Sequence, residues 1–312
     1  MGPAKIEYNS ATFFTKEDIS IDSEISRVQI RTSAYGVMSE RSDSVLVRTS
    51  IVPDGQLVAA HVAAFWPHLV SLPGTDIHGG GSDVNAVFTG SDAAVHTIVA
   101  AGVHQMPNLV LSAVQSMIGS VELVGVRKNT QAWSVAAGMQ IIAGSGTFED
   151  ALFTDALIRT QVYTADFTND DAGPAAPYTG FDDFGTQDGF HVEFPMEISP
   201  ISVDSEGILT YKLRSVGCIV RCIPVGPTPV NIQLAIEANA GQSRGATFGG
   251  SGSMIISGAD TFRVTIPKCA MFKNSFRFGS SDNALREGEV AWVAQRTFAA
   301  DGTPVAIATI TP

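Results

Sequence analysis

The sequence predicts an all-β protein with a minor helix, its β-units two in tandem. Three observations carry this. Apolar and polar residues alternate with a period of two, as in Val45, Val47, Thr49 and Ile51 against Leu46, Arg48 and Ser50. The 30 glycines and 15 prolines, set among many Val, Ile, Thr and Ser residues, suit short strands joined by turns. Parts of the chain also echo one another. Ile19-Ser20-Ile21-Asp22-Ser23-Glu24 is nearly repeated as Ile201-Ser202-Val203-Asp204-Ser205-Glu206, and long alternating segments follow, Arg27–Pro53 and Leu209–Pro224. Gly90-Ser91-Asp92 with the run to Val126 matches Gly258-Ala259-Asp260 with the run to Ala294. The echoes keep their order, which a duplicated β-unit explains; coincidence among Ser-, Val- and Gly-rich strands is the alternative.

Bulk properties narrow the function. The chain has 312 residues, enough for one large domain or two ordinary ones. With 45% hydrophobic and only 16% charged residues it has the apolar surface that a disordered chain lacks. So low a charge implies that copies of itself or partners cover much of the surface. The net charge of −12 disfavours a grip on nucleic acid through its phosphates, though not passage of DNA nearby. Three cysteines make no disulfide framework, and Cys218 and Cys222 are expected as small buried hydrophobes. No apolar run approaches a membrane span and Met1–Ser10 has no apolar leader core, so assembly in a reducing cytoplasm without a membrane anchor is expected.

Taken in order, residues 1–25 form a polar arm anchored by Phe13-Phe14, and a strand pair follows, joined by the polar segment Ser39–Ser44. Pro53-Asp54-Gly55 is a turn, since Pro presets φ and Gly accepts a positive one. The Ala-rich segment Gln56–Phe65 predicts a short helix or buried segment ending near Pro67. Ser71–Asp92 is a long Gly-rich loop of the kind that forms interfaces, with Pro73, Gly74, Gly79, Gly80 and Gly81 as candidate contact residues. Strands fill Val95–Val126, broken at Met106-Pro107-Asn108; Trp133–Gln140 and Thr147–Thr160 carry helical spacing. Nine carboxylates then crowd Glu149–Asp188 against one base, Arg159, around the Ala/Gly/Pro run Ala172–Pro177. This places a first unit at 1–165, an acidic linker at 166–189 and a second unit at 190–312. Strands are expected at 192–198, 208–223, 229–237, 261–266, 275–279 and 289–297, with a Gly/Ser loop at Gly241–Ser257 and a tail at Ala299–Pro312 that adds one more.

Signatures of chemistry are lacking. The six histidines never pair as HxxxH, and no phosphate-binding glycine loop is present. His78-Gly79-Gly80-Gly81 resembles an esterase oxyanion loop without the nucleophile elbow that it would serve. Asp166–Asp171 lacks the spacing of a calcium loop. Neither cofactor nor metal is expected.

Three stretches share one likeness. Ala11–Ile19 leads through Tyr35–Arg41 to Val52–Gly55; His104–Gly119 runs on to Arg127-Lys128-Asn129; and Val203–Gly207 leads to Arg221–Thr228. Together they resemble the tail tube proteins of long-tailed bacteriophages over most of the chain. The resemblance implies a non-enzymatic virion protein with tail-tube-like β-barrel or sandwich units. Copies would form rings, stacked into a tube through which DNA passes without specific binding during ejection, with other tail proteins as further partners. Two units per chain favour a trimeric ring of pseudo-sixfold symmetry; the hexamer of single-unit subunits is the alternative. The acidic candidates Asp166, Asp170, Asp171, Asp182 and Asp183 would either line the lumen or lie in a solvated linker. Another virion shell, decoration or array-forming sandwich protein would share the strand pattern. A carbohydrate-active protein using the Asp166–Asp188 carboxylates would want more than three Trp.

Overall fold

A computed structural model describes residues 4–15, 19–33, 36–55, 57–78, 86–90, 93–98, 101–128, 141–145, 160–169, 180–203, 207–225, 251–274 and 289–312. The fold is mostly β-sheet with one described helix. Strands β1 (Ala4–Tyr8) and β2 (Ala11–Phe14) form a tight hairpin, turned by Asn9 and Ser10 in the left-handed region. The hairpin buries Ile6, Tyr8 and Phe13. The amino-terminal segment expected as a polar arm is therefore part of the core. Its apolar residues occupy alternate positions between polar ones, a strand pattern that average polarity conceals.

Two long strands follow, β3 (Ser20–Thr32) and β4 (Gly36–Ile51). They pair from Ser20↔Ser50 to Thr32↔Gly36. The polar segment Ser39–Ser44, expected to join two strands, instead lies inside β4, and the chain reverses after Thr32. Pro53 bridges to Thr15 and Gly55 takes φ +95°, as the expected turn requires. Helix α1 (Ala59–Phe65) forms where the Ala-rich segment predicts it, and the chain leaves the helix before Pro67. One so short does not hold itself. It is fixed by burying His61, Ala64 and Phe65, with Phe65 edge-on to Phe13 at 4.5 Å. The His61 Nε2–H donates to the Thr12 carbonyl at 2.8 Å.

β5 (Ala86–Gly90), β6 (Ala94–Ile98) and β11 (Ile141–Ser145) join the first hairpin in a five-stranded sheet, ordered β11-β6-β5-β1-β2. β7 (Ala101–Gln105) and β10 (Val121–Lys128) join the long hairpin in a second sheet, ordered β3-β4-β10-β7. β8 (Leu109–Leu111) and β9 (Met117–Ile118) leave the first half of the chain for a third sheet. That sheet has eleven strands. Its others are β12 (Thr164–Asn169), β13 (Gly180–Thr186), β14 (Phe190–Glu193), β17 (Ile219–Cys222), β18 (Pro224-Val225), β19 (Ser251–Ser257), β20 (Arg263–Asn274), β21 (Val290–Ala294) and β22 (Thr309–Thr311). β15 (Met196–Val203) and β16 (Gly207–Val216) stand apart as a two-stranded ribbon.

Several expectations change. The sheets are open, sandwich-like layers, and among the described residues none closes into a barrel. The stretch 166–189 is not a bare linker: most of β12 and all of β13 lie in it, paired with each other, and β12 pairs with β19. Tyr163, Ala165 and Phe167 point into the core while Thr164, Asp166 and Thr168 are less buried or exposed, so the carboxylate occupies an outward position of a strand. The sheet also crosses the expected boundary, since β8 pairs with β14 through Phe190↔Leu111. One apolar core runs from Ile6 to Ile310. β5 and β19 occupy the ends of the two segments expected as Gly-rich loops. The two expected helices, 133–140 and 147–160, and the strands at 229–237 and 275–279 lie outside the described residues, Thr160 excepted.

The echoes divide. Gly90 ends β5 and Gly258 follows β19, each the first strand of an antiparallel hairpin, β5–β6 and β19–β20. The other pair is not equivalent: Ile19–Glu24 opens β3, whereas Ile201-Ser202-Val203 closes β15.

The expected burial of the cysteines is observed. Cys218, Cys222 and Cys269 are free and buried, and burial pushes the Cys218 and Cys222 thiols far up. The Thr49 hydroxyl on β4 is fully buried with no hydrogen-bond partner among the described residues. Thr49→Val keeps the shape and removes that unmet group, so it is expected to raise unfolding free energy by about 1 kcal/mol in a denaturant titration.

Candidate functional site

The sequence-selected contact residues fall in two places. Pro73 and Gly74 are exposed, and Gly74 takes φ +91°. They begin a segment that lies along the edge of β16. The Gly74 N–H donates to the Leu213 carbonyl at 2.7 Å, Leu213 N–H to Thr75 at 2.9 Å and Ile77 N–H to Tyr211 at 2.9 Å. Asp76 fixes the segment further. Its carboxylate accepts from the Thr210 hydroxyl at 2.6 Å and the His78 amide at 3.0 Å, and faces the Lys212 ammonium at 3.4 Å. Partial burial pushes the Asp76 carboxyl up, but these three donors together hold it below the usual carboxylate range. This part of the loop is thus a strand-like strap. Gly79, Gly80 and Gly81 lie outside the described residues.

The acidic candidates also split. Asp182 and Asp183 stand opposite Asp166, two residues against one, in a β-bulge between β12 and β13. Asp183 takes φ +43°, and its amide donates to the Asp166 Oδ1 at 2.7 Å. Asp166 and Asp183 are exposed, so this carboxylate serves the bulge that bends the sheet. Asp170 and Asp171 lie outside the described residues.

A cluster that sequence reasoning missed lies between β7, β10 and β4. Glu122 pairs with Gln105 and Leu123 with Val103, leaving His104 as the extra residue of a bulge. The bulge brings His104 Nδ1 to 3.2 Å from Glu122 Oε1. Arg48, a diagonal neighbour across β4, reaches the same oxygen at 2.9 Å. The ring of Tyr211 stands edge-on to His104, centroids 5.4 Å apart. A cavity of about 670 Å³ opens beside them, lined by His104, Asn108, Glu122, Glu193, Phe194 and Glu197 among others. Burial lowers the His104 pKa; Glu122 opposes this, and the neighbouring Arg48 and His78 add to it. Each of these side chains is ordinary in the sequence, and only the strand register collects them.

Among the described residues no three His, Cys, Asp or Glu side chains are placed to hold a metal ion, and no helix is long and apolar enough to cross a membrane. Among the described residues, a long strand forms one edge of the sheet β3-β4-β10-β7. β3 is the outermost strand of its sheet, and β10 pairs with β4 only from Ser44 to Ile51. Beyond Ser44, among the described residues, β3 and β4 continue as a two-stranded ribbon. Comparison with protein-family models and with curated proteins finds no match.

Proposed function

We propose that the chain is a structural subunit of a bacteriophage tail tube, assembled in the bacterial cytoplasm into stacked rings that pass DNA during ejection. The observation that carries this reading is the β3–β4 hairpin. Its outer strand is 13 residues long, and no described strand pairs with its outer edge. So long a bare edge is a liability in a solitary protein, and a neighbouring copy removes it. The resemblance of Ala11–Ile19, His104–Gly119 and Val203–Gly207 to tail tube proteins supports the same reading. So does the acidic balance, since a wall of net charge −12 lets a polyanion slide without adhering. Each half of the chain supplies one two-stranded ribbon, β3–β4 and β15–β16, which favours a trimeric ring with pseudo-sixfold symmetry. Other tail proteins would cap the stack.

Shortening the hairpin tests the reading. Gln29 and Glu40 are cross-strand partners, so a two-residue Asn-Gly turn in place of residues 30–39 rejoins the strands. The expected result is loss of the multimers in sedimentation velocity with the circular dichroism of the folded chain retained. Multimers that survive the shortening would count against this hairpin as the joint.

A further inference from the structure

The β15–β16 ribbon and the long strand β3 meet the same hazard, an edge of backbone groups open to another chain, and they meet it differently. In the ribbon, the backbone bonds show which way each residue faces. On β16, the Leu213 N–H donates to the Thr75 carbonyl at 2.9 Å. The Leu213 and Tyr211 carbonyls accept from Gly74 at 2.7 Å and Ile77 at 2.9 Å. Successive residues of a strand aim their backbone groups to opposite sides. Tyr211 and Leu213 thus face residues 74–77, and Thr210 and Lys212 face β15.

The register carries this across to β15. Ser199 stands opposite Lys212 and Ile201 opposite Thr210, so both turn their backbone inward. Pro200 stands between them, opposite Tyr211, and turns its nitrogen to the outer edge. That nitrogen has no hydrogen to offer. The edge needs such a stop. β15 is 8 residues long, no described strand pairs with its outer edge, and it exposes Ile201 at 41% and Val203 at 40%.

The outer edge of β16 is closed by other means. Residues 74–77 lie along it as a short antiparallel strap, bridged at Asp76↔Lys212. The Asp76 carboxylate pins the strap to the ribbon through the Thr210 hydroxyl at 2.6 Å and the Lys212 ammonium at 3.4 Å. Buried Ile77 pins it to β7, where a Cβ built on Gly102 would stand 2.7 Å from the Ile77 carbonyl oxygen. β3 has neither device. Its 13 residues include no proline, and no described strand pairs with its outer edge.

We propose that Pro200 and the strap are guards, which close the two edges of the β15–β16 ribbon to a strand from a second copy of the chain. This rests on the fold alone and stands or falls independently of the tail-tube reading, because its readout lies in the ribbon and not at β3.

Hydrogen exchange and sedimentation velocity of the full chain at rising concentration test the guards. In the wild type, exchange of segment 196–203 is expected to be the same at every concentration, whatever β3 does. Pro200→Thr restores an outward N–H and leaves the inward bonds of Ser199 and Ile201 in place. Its segment 196–203 is expected to exchange about tenfold more slowly at high concentration than at low, with a larger species in sedimentation. Ile201→Thr adds no outward donor and should behave as the wild type. Asp76→Ala is expected to free residues 74–77 at low concentration and to gain protection at residues 211–213 as concentration rises. Ribbon protection that rises with concentration in the wild type, or a folded Pro200→Thr chain that behaves as the wild type, overturns the proposal. So does association with loss of protection in β19–β21, since the copies then join through unfolded chain. Asp76→Ala with the strap still protected, or with the strap freed and no association, overturns the guard on β16. If Pro200→Thr does not fold, the Asp76→Ala result decides for the ribbon.

Discussion

Trp292→Ala is expected to lower the unfolding free energy by about 3–5 kcal/mol, a large share of the roughly 5–15 kcal/mol that holds a typical domain together. Trp292 on β21 is 1% exposed, and its ring lies 5.9 Å from Phe167 and 5.8 Å from Phe184. Phe184 in turn packs on Phe190 at 5.7 Å. The indole thus joins β12, β13 and β14 to the centre of the large sheet. Removing it opens a cavity that three aromatic rings fixed in paired strands can close only partly. Urea titration followed by circular dichroism measures the loss. A change below about 1 kcal/mol would mean that this aromatic cluster is not packed as described.

Gly189→Ala is the second large effect, and it probes the seam between the two halves of the chain. Gly189 takes φ +93°, and a Cβ built there would stand 2.5 Å from Ser112 Cβ and 2.6 Å from the Leu111 carbonyl oxygen. Left-handed backbone alone costs an alanine about 1–2 kcal/mol. The clash comes on top, because it is with backbone of β8, which is itself paired to β14. Gly302 supplies the control: its φ is +84°, yet nothing lies within 4 Å of the Cβ position. Gly302→Ala should therefore show the backbone cost by itself, and Gly189→Ala should exceed it clearly in the same denaturant titration. Equal losses would indicate that β8 and β14 do not approach one another as closely as described.

Much of the fold was legible in the sequence, and the failures share a cause. The all-β class, the helix before Pro67, the turn at Pro53-Asp54-Gly55, the break at Met106–Asn108 and the buried cysteines all follow from local pattern. The linker at 166–189 failed because composition was weighed over periodicity. Nine carboxylates in Glu149–Asp188 hid the alternation of Tyr163, Ala165 and Phe167. The amino-terminal arm failed in the same way, with Ile6 and Tyr8 concealed among polar neighbours.

The site was less legible than the fold. Pro73 and Gly74 are expected as contact residues of a Gly-rich loop, but the residue that fixes the segment beside them is Asp76, whose partners Thr210 and Lys212 are more than a hundred positions away. His104, Glu122 and Arg48 come together through a bulge and a diagonal across two strand pairs, and no local pattern encodes that register. Gly90 and Gly258 each stand at the turn of an antiparallel hairpin, β5–β6 and β19–β20, whereas the Ile19 and Ile201 echo falls at opposite ends of β3 and β15. Strand-forming sequences draw on few residue types, so likeness between two strands is weaker grounds for duplication than likeness between two hairpin turns.

The proposal depends most on the outer edge of β3, which no described strand pairs with, finding a neighbouring copy. Negative-stain images of the purified chain at increasing concentration test this directly. The account predicts rings or tubes with a central lumen wide enough for duplex DNA and with threefold or sixfold averages. Particles that remain single and compact at every concentration, or that form only flat sheets or closed shells, would contradict it.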